Sequence, residues 1–419
     1  MQLAEAFERV IGAGTPVEFQ AYDGSRSGPV GCDVRLTIKS PRAVSSLVLS
    51  PGELGLARVY VAGDLDVDGD LHTALRRLSE RAGNLSWRER LEVMRSLGIQ
   101  ALRPYAPPGI EVRMLPGRRH SQRRDSQAIS HHYDVSNRFY EWVLGPSMAY
   151  TCAVYPSAAA TLEQAQFTKF DLVARKLGLG PGMRLLDVGC GWGGMVIHAA
   201  QEYGVRALGV TLSRQQAEWA QKAIADAGLS DLAEVRHLDY REVTEAGFDA
   251  VSSIGLTEHI GASQLPAYFR FLHARLRPQG RLLNHCIMRP TNTEPRIHRR
   301  GFINRYVFPD GELMGLGHIA SVMQDNGFEI RHEENLREHY AMTLAAWGDN
   351  LEAHWDEAVA EVGMAKARVW RLYMAGSRLA FERNGLQLHQ LLGVRADGGD
   401  SGMPLRPNWE PLARAVPVA

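Results

Sequence analysis

Two hydrophobic rhythms divide this chain. From His131 onward, short apolar runs alternate with longer stretches whose apolar residues return at helical spacing. The runs predict strands at Arg184–Val188, Val205–Val210, Ala233–His237, Phe248–Ile254, Arg281–Ile287 and Phe328–His332. Between them the spacing predicts helices at Leu162–Leu177, Gly194–Tyr203, Arg214–Ala227, Gln264–Leu276 and Gly317–Asn326. Such alternation predicts a mainly parallel, doubly wound α/β sheet. The stretch from Thr343 to Leu392, rich in Trp, Leu and Met, reads as helical and is expected to cap that sheet. The run DGGDSG at 397–402 suggests a loose tail.

The first hundred or so residues follow another pattern. VRLTI (Val34–Ile38) and ARVYV (Ala57–Val61) read as strands. LHTALRRLSERA from Leu71 and SWRERLEVMRSLG from Ser86 read as helices, the second with Ser86 and Glu89 placed as a capping box. YVAGDLDVDGDL from Tyr60 alternates between Gly and Asp turn positions. Residues 1–105 are therefore expected to form a smaller α+β domain. Residues 106–130 are expected to be a Pro/Arg-rich linker, and 131–419 the main domain with its helical cap.

Composition narrows the partners. Hydrophobic residues make up 45% and charged residues 22% of the chain, and formal net charge is zero. No global field draws nucleic acid, so no nucleic-acid partner is expected. The opening MQLAEAFERV is amphipathic and carries acids, unlike a signal peptide. No apolar run is long enough to span a membrane. Cys32, Cys152, Cys190 and Cys286 show no CxxC spacing, so reduced thiols, a cytoplasmic setting and no metal site are expected. One local patch stands out: between Arg113 and Arg124 there are five arginines, one histidine and no acid. It reads either as a solvated linker or as a contact for phosphate headgroups, where each basic residue contributes roughly 1 kcal/mol near an anionic surface.

The candidate chemistry begins at LLDVGCGWGG, residues 185–194. Glycines at 189, 191, 193 and 194 let a turn between strand and helix approach a ligand closely. The string departs from dinucleotide fingerprints, since the next strand ends in GVTLS rather than in an acid. Polar residues follow each predicted strand: Asp187 and Cys190, then Thr211 and Gln216, then Asp239 and Tyr240, then Glu258 and His259, with His285 near the end of the fifth. Ligands in open α/β sheets bind at those ends. Taken singly, Asp239 or His259 reads equally well as a helix cap.

Over residues 131–392 the chain resembles the cyclopropane fatty acid synthases and mycolic acid methyltransferases. The motifs that carry this are HYDVSNRFYEWVLGPSMAYTCAVY from His132, LDVGCGWGG, GVTLSRQQ, SIGLTEHIG from Ser253, LLNHCI and REHYAMTLAAW from Arg337. The N-terminal region, with PGELGLARVYVAGDLDVDGDL, is similar to the first domain of the longer, phospholipid-acting bacterial members and more faintly to lipid-carrier domains. The resemblance implies a class I S-adenosylmethionine methyltransferase fold, Rossmann-like. It implies a cofactor site lined by Tyr133, Tyr150, Thr151, Gly189, Gly191, Thr211, Gln216 and Tyr240, which Asp187, Cys190 and Asp239 join by their place after strands. Many relatives carry tryptophan at the position of Tyr240. Cys152, Glu258, His285, Ile287 and Tyr340 match the positions that hold a bicarbonate ion.

The same resemblance implies a reaction. An alkene attacks the sulfonium methyl directly, so alignment carries much of the catalysis. A cation then forms on the acyl chain, where aromatic faces such as Tyr133, Tyr150, Phe302 and Tyr340 can steady it by roughly 0.5–2 kcal/mol each. Loss of a proton gives either a cyclopropane or an exocyclic methylene. The long form resembles actinobacterial enzymes that make 10-methylene acyl chains for a separate reductase. The implied setting is an unsaturated phospholipid at the membrane surface, with the enzyme peripheral and dimeric. A lipid-binding protein without catalysis and a small-molecule methyltransferase are the competing readings.

Overall fold

The computed structural model describes residues 2–50, 52–81, 105–112, 119, 124, 135–295 and 301–410. They form two compact units. One comprises the described residues within Met1–Leu115, His298–Pro309 and Trp347–Ala380; the other, those within Pro116–Ile297, Asp310–Ala346 and Phe381–Ala419. Among the described residues no helix is long and apolar enough to cross a membrane.

The first unit holds a four-stranded sheet of β1 (Glu18–Ala21), β2 (Arg26–Ser27), β3 (Arg35–Ile38) and β4 (Leu65–Asp68), in the order β2-β1-β3-β4. β1 and β3 are parallel; the outer pairings are antiparallel. Helix Pro41–Leu49 starts where sequence chemistry dictates, with Ser40 Oγ accepting from Arg42 N and a proline in the first turn. Two expectations need correction here. ARVYV is not a strand but the end of helix Glu53–Ala62. Ala57, Val59, Tyr60 and Val61 are all buried, which erases the periodicity that would tell helix from strand. The legible sign was Gly63, which closes the helix in the left-handed conformation. Secondly, the unit is not contiguous in sequence. Residues 347–380, expected to cap the large sheet, belong to this unit, where Arg368 donates to Tyr60 O at 2.8 Å and to Asp66 Oδ1 at 3.0 Å.

The second unit is built on seven strands: β5 (Arg184–Val188), β6 (Arg206–Thr211), β7 (Ala233–His237), β8 (Phe248–Ile254), β9 (Leu276–Met288), β10 (Glu329–Asn335) and β11 (Gln387–Val394). Their order is β10-β11-β9-β8-β5-β6-β7. β9, β8, β5, β6 and β7 are mutually parallel, and β11 runs antiparallel between β9 and β10. Helices cover both faces. Leu185 joins the core with Phe170, Val173, Met195 and Val196, while Leu186 joins the opposite core with Tyr268, Phe269 and Leu272. Alternate residues of one strand thus feed two cores, which is why β5 reads as an unbroken apolar run. Helix Leu162–Leu177 begins with a complete capping box from Thr161 and Gln164 and ends at left-handed Gly178.

Strand β11 is a further correction. The expected helical stretch to Leu392 stops at Glu382, and Gln387–Val394 is a strand buried on both faces. The Asn384-Gly385 turn signal between them marks the change. The expected loose tail is also ordered in part: Asp397 and Asp400 bridge, and Trp409 lies against His332 with ring centroids 5.5 Å apart.

Candidate active site

Open α/β sheets bind ligands beyond the carboxyl ends of strands, where the strand order reverses. That point is β5, flanked by β6 on one side and β8 on the other. The glycine loop after β5 is tied to its neighbour, with Gly189 N and Cys190 N both donating to Val210 O. Gly189, Gly191 and Gly193 all take positive φ. Gly191 is the informative one. A side-chain carbon added there meets nothing within 4 Å, so open space lies where a ligand would approach the backbone. Cys190, by contrast, is buried beneath the loop.

Side chains from three neighbouring strands complete this edge. Asp187 is buried and accepts from Ser252 Oγ at 2.6 Å; burial lifts its carboxyl to about 7. Thr211 Oγ1 donates to Gln216 Oε1 at 2.8 Å, holding together the two residues expected after β6. Tyr240 stands edge-on to Tyr268, with ring centroids 5.2 Å apart. Asp239 is buried, but its carboxylate caps the turn Tyr240–Glu242 and is clamped by Arg241 Nε and Nη2 at 2.8 and 2.6 Å. Its side chain therefore serves the turn. Tyr150 lies beside Tyr140, their ring centroids 5.9 Å apart. Tyr133 lies outside the described residues.

A second corner lies at the ends of β8 and β9. Glu258 sits in the short helix Thr257–Ile260, and its Oε1 accepts from Ile287 N at 2.7 Å. Burial lifts its carboxyl to about 7, against the pull of the Ile287 amide. Its Oε2 is buried and has no hydrogen-bond partner among the described residues. His285, on β9, is fully buried, and its Nδ1 faces Gln390 Nε2 at 3.2 Å. Its Nε2 is likewise buried without a partner among the described residues. Burial, with Lys169 and Lys176 nearby, holds this imidazole well below its ordinary pKa, so it is neutral.

Cys152 joins the corner from another loop. Its thiol is fully buried, pushed far up by burial, and donates to Ala153 O and Leu336 O. Ala153 N donates to Thr343 Oγ1, which fixes the loop on helix Arg337–Ala353. Tyr340 occupies the first turn of that helix, its ring 4.6 Å from Phe381. Thr151 is pressed against the end of β8: a carbon added at Gly255 would come 3.0 Å from its Cγ2, and Gly255 N donates to His285 O.

Three buried polar residues of this region went unread in the sequence. On helix Leu162–Leu177, the buried face runs through Leu162, Gln166, Lys169, Val173 and Lys176. Polar residues that interrupt an apolar helical stripe are the signal that could have found them. Lys169 Nζ donates to Thr151 Oγ1 at 2.9 Å, and burial brings its ammonium down to about 7. Gln166 donates to Thr151 O, so helix and loop are joined twice. Two other expectations change. Arg119 and Arg124 of the basic linker pair with Asp310, Arg124 through two hydrogen bonds at 2.7 and 2.8 Å, so these two face a carboxylate of the same chain. Phe302 belongs to the first unit, with its ring against Tyr306.

Comparison with known proteins places nearly the whole sequence among its relatives. The family model described as mycolic acid cyclopropane synthetase matches residues 120–391. A probable fatty acid methyltransferase of Mycobacterium tuberculosis is 55% identical over 98% of this chain and 99% of its own. One of Pseudomonas putida, also named a probable fatty acid methyltransferase, is 38% identical over 91% of this chain and 93% of its own. Among solved structures, the mycolic acid cyclopropane synthase CmaA1 in complex with SAH and CTAB superposes with a TM-score of 0.61. It is 31% identical, over 64% of this chain and 98% of its own. The reversal point at β5, the open glycine loop and these matches have one reading: the chain belongs to the mycolic acid cyclopropane synthetase family of S-adenosylmethionine-dependent methyltransferases.

Proposed function

We propose that the protein adds a one-carbon unit from S-adenosylmethionine to the cis double bond of an unsaturated phospholipid acyl chain, leaving a 10-methylene chain. The observation that carries this reading is that two buried polar atoms, Glu258 Oε2 and His285 Nε2, in the unit that holds the glycine loop, have no partner among the described residues. A methyl transfer to an oxygen or nitrogen nucleophile can give up its proton to solvent, before or after the transfer. An alkene needs such a pair, because the cation left on the chain must lose a proton.

Bound bicarbonate fits these residues. The carboxylate oxygen without a partner would accept its acidic hydrogen, and the imidazole nitrogen without a partner would donate to an anionic oxygen. Glu258, His285, Ile287, Tyr340 and the backbone beside Cys152 would hold it. When bound, adenosylmethionine supplies an electrophilic methyl group and bicarbonate a proton acceptor that does not stay attached to a carbon cation. The Ile287 amide fixes the Glu258 carboxylate on one oxygen and leaves the other to act. Thr151, pinned by Lys169 and Gln166, holds Tyr150 and Cys152 in place on either side. Gly191 leaves room for the cofactor, while Tyr150 and Tyr340 offer aromatic faces to positive charge.

The whole-length relatives support a fatty acyl substrate, and the methylene product rests on the resemblance of the long form. Those matching nearly all of this chain are named fatty acid methyltransferases, whereas the cyclopropane mycolic acid synthases match 59% of it. The second reading, cyclopropane formation, draws on the same residues with the proton taken from the transferred methyl. A phospholipid substrate would bring the enzyme to the membrane surface, and a separate reductase would act on a methylene product. Incubation with adenosylmethionine and a dioleoyl phospholipid, followed by mass spectrometry of the fatty esters, should show oleate heavier by one CH2. Proton NMR of that ester should show vinylidene signals; ring signals would favour the second reading. No heavier ester would sink both.

A further inference from the structure

Gln390 and Lys176 have no place in the chemistry above, yet they join His285 to the protein surface. Lys176 lies in helix Leu162–Leu177, and its side chain is completely buried. Its Nζ donates to Gln390 Oε1 at 2.7 Å and pairs with the carboxylate of Glu334, which is 38% exposed. Gln390 Nε2 in turn meets His285 Nδ1 at 3.2 Å. The register of the sheet creates this chain, since β11 lies between β9 and β10 and sets Gln390 opposite both His285 and Glu334.

The direction of each bond follows from what each group can do. Burial lowers the pKa of the Lys176 ammonium from its ordinary value and the Glu334 carboxylate opposes that; the ammonium held by this ion pair donates and cannot accept. The amide of Gln390 must therefore turn its oxygen toward Lys176 and its NH2 toward His285. Facing an NH2 donor, His285 Nδ1 must be the unprotonated nitrogen. The proton of the neutral ring is then on Nε2, the buried atom that has no partner among the described residues.

We propose that Lys176 and Gln390 are positioning residues that fix His285 in its Nε2–H form, making it a hydrogen-bond donor toward the anion held with Glu258. This rests on the reading of Glu258 and His285 given under Proposed function, but the relay itself is testable without turnover. A ligating or orienting histidine is commonly set by the partner of its other nitrogen, and here the partner is itself set by a lysine.

The test is nitrogen NMR of the full-length protein labelled with 15N-histidine, with the His285→Gln variant identifying the His285 signals. Wild type should show Nε2 protonated and Nδ1 bare at neutral pH. In Gln390→Glu the new carboxylate can only accept, so the proton should move to Nδ1 while Lys176 keeps its partner. Lys176→Met frees the amide to turn and should give a mixture of the two forms. Wild-type His285 protonated on Nδ1, or the same tautomer in wild type and Gln390→Glu, would overturn the proposal. Where the tautomer moves as expected, kcat of Gln390→Glu should fall at least about tenfold with KM for adenosylmethionine unchanged. Unchanged kcat in that case would leave the relay standing and count against the role given to His285.

Discussion

Each compact unit buries a glutamate, and the fold treats the two in opposite ways. Glu111, in the first unit, is answered on both oxygens: Arg58 Nε and Nη2 donate at 2.7 Å each, and Tyr306 Oη donates at 3.2 Å. Burial is the largest single influence and pushes its pKa up, but the hydrogen bonds and charge of Arg58, with Tyr306 and Arg305, together outweigh it and leave the carboxyl below its ordinary range. Glu258, in the second unit, has one backbone amide on one oxygen and, among the described residues, no partner on the other, and burial carries it up to about 7. A fold normally answers its own buried polar atoms, because leaving one bare costs about 1–3 kcal/mol. The pair at Glu111 is structure closed on itself. On the proposed function, the atoms at Glu258 and His285 that have no partner among the described residues are the place where an anion would bind.

Removing each glutamate should separate the two roles. Glu111→Gln breaks a buried ion pair and should cost about 3–5 kcal/mol in urea unfolding of the first unit, with activity per folded molecule retained. Loss of activity without loss of stability would break the comparison. Glu258→Gln should do the reverse: kcat falls about 100- to 1000-fold, the scale of a lost charge-orienting group, while affinity for S-adenosylhomocysteine changes less than about threefold. Equal losses in both would make Glu258 structural. Gly191→Val should weaken calorimetric binding of S-adenosylhomocysteine by about tenfold or more, because its side chain fills the open approach at positive φ. Unaltered affinity would move the cofactor away from this loop.

The smallest expected effect is one of pH. Glu258 and Asp187 are both raised to about 7 by burial, from ordinary values of 4.5 and 3.8. The folded protein therefore holds protons that the unfolded chain releases. Their contribution is fully present below the unfolded values and is lost as pH rises through about 7. Between about pH 5 and pH 8 these two carboxyls lower the unfolding free energy of the ligand-free protein, while His285, held neutral by burial, raises it over the same range, so the carboxyl share is read as a difference between variants. Glu258→Gln and Asp187→Asn should each remove a fall of about 1 kcal/mol or more from the wild-type slope, and Glu111→Gln should remove none. A slope untouched by the first two would mean that neither carboxyl is held protonated by burial.

How much of this could be read from the chain depends on how local each feature is. β5 and β8 lie where the apolar runs begin and end, because a parallel strand covered on both faces writes its whole length in apolar residues, while the edge strand β7, AEVRH, shows as alternation instead. The glycine loop was legible for the same reason, since its backbone demands are met by neighbouring residues. β11 was not, because its buried run follows a helix of similar composition and only the Asn384-Gly385 turn separates them. The motif resemblance named Glu258 and His285, but not what supports them. His285 and Gln390 are 105 residues apart and meet only through the register of β9 and β11, which no local pattern records. Lys169 and Lys176 were visible as polar breaks in an apolar helical stripe. Their partners on other elements were not.

The claim that the unanswered atoms of the second unit are kept for a small anion is open to one direct measurement. Carbon NMR of 13C-bicarbonate titrated against the S-adenosylhomocysteine complex reports binding without turnover. Wild type should bind saturably, at one ion per chain, and Glu258→Gln and His285→Gln should lose that binding while keeping S-adenosylhomocysteine. Saturable binding that survives in both variants, or none in wild type, would contradict the account.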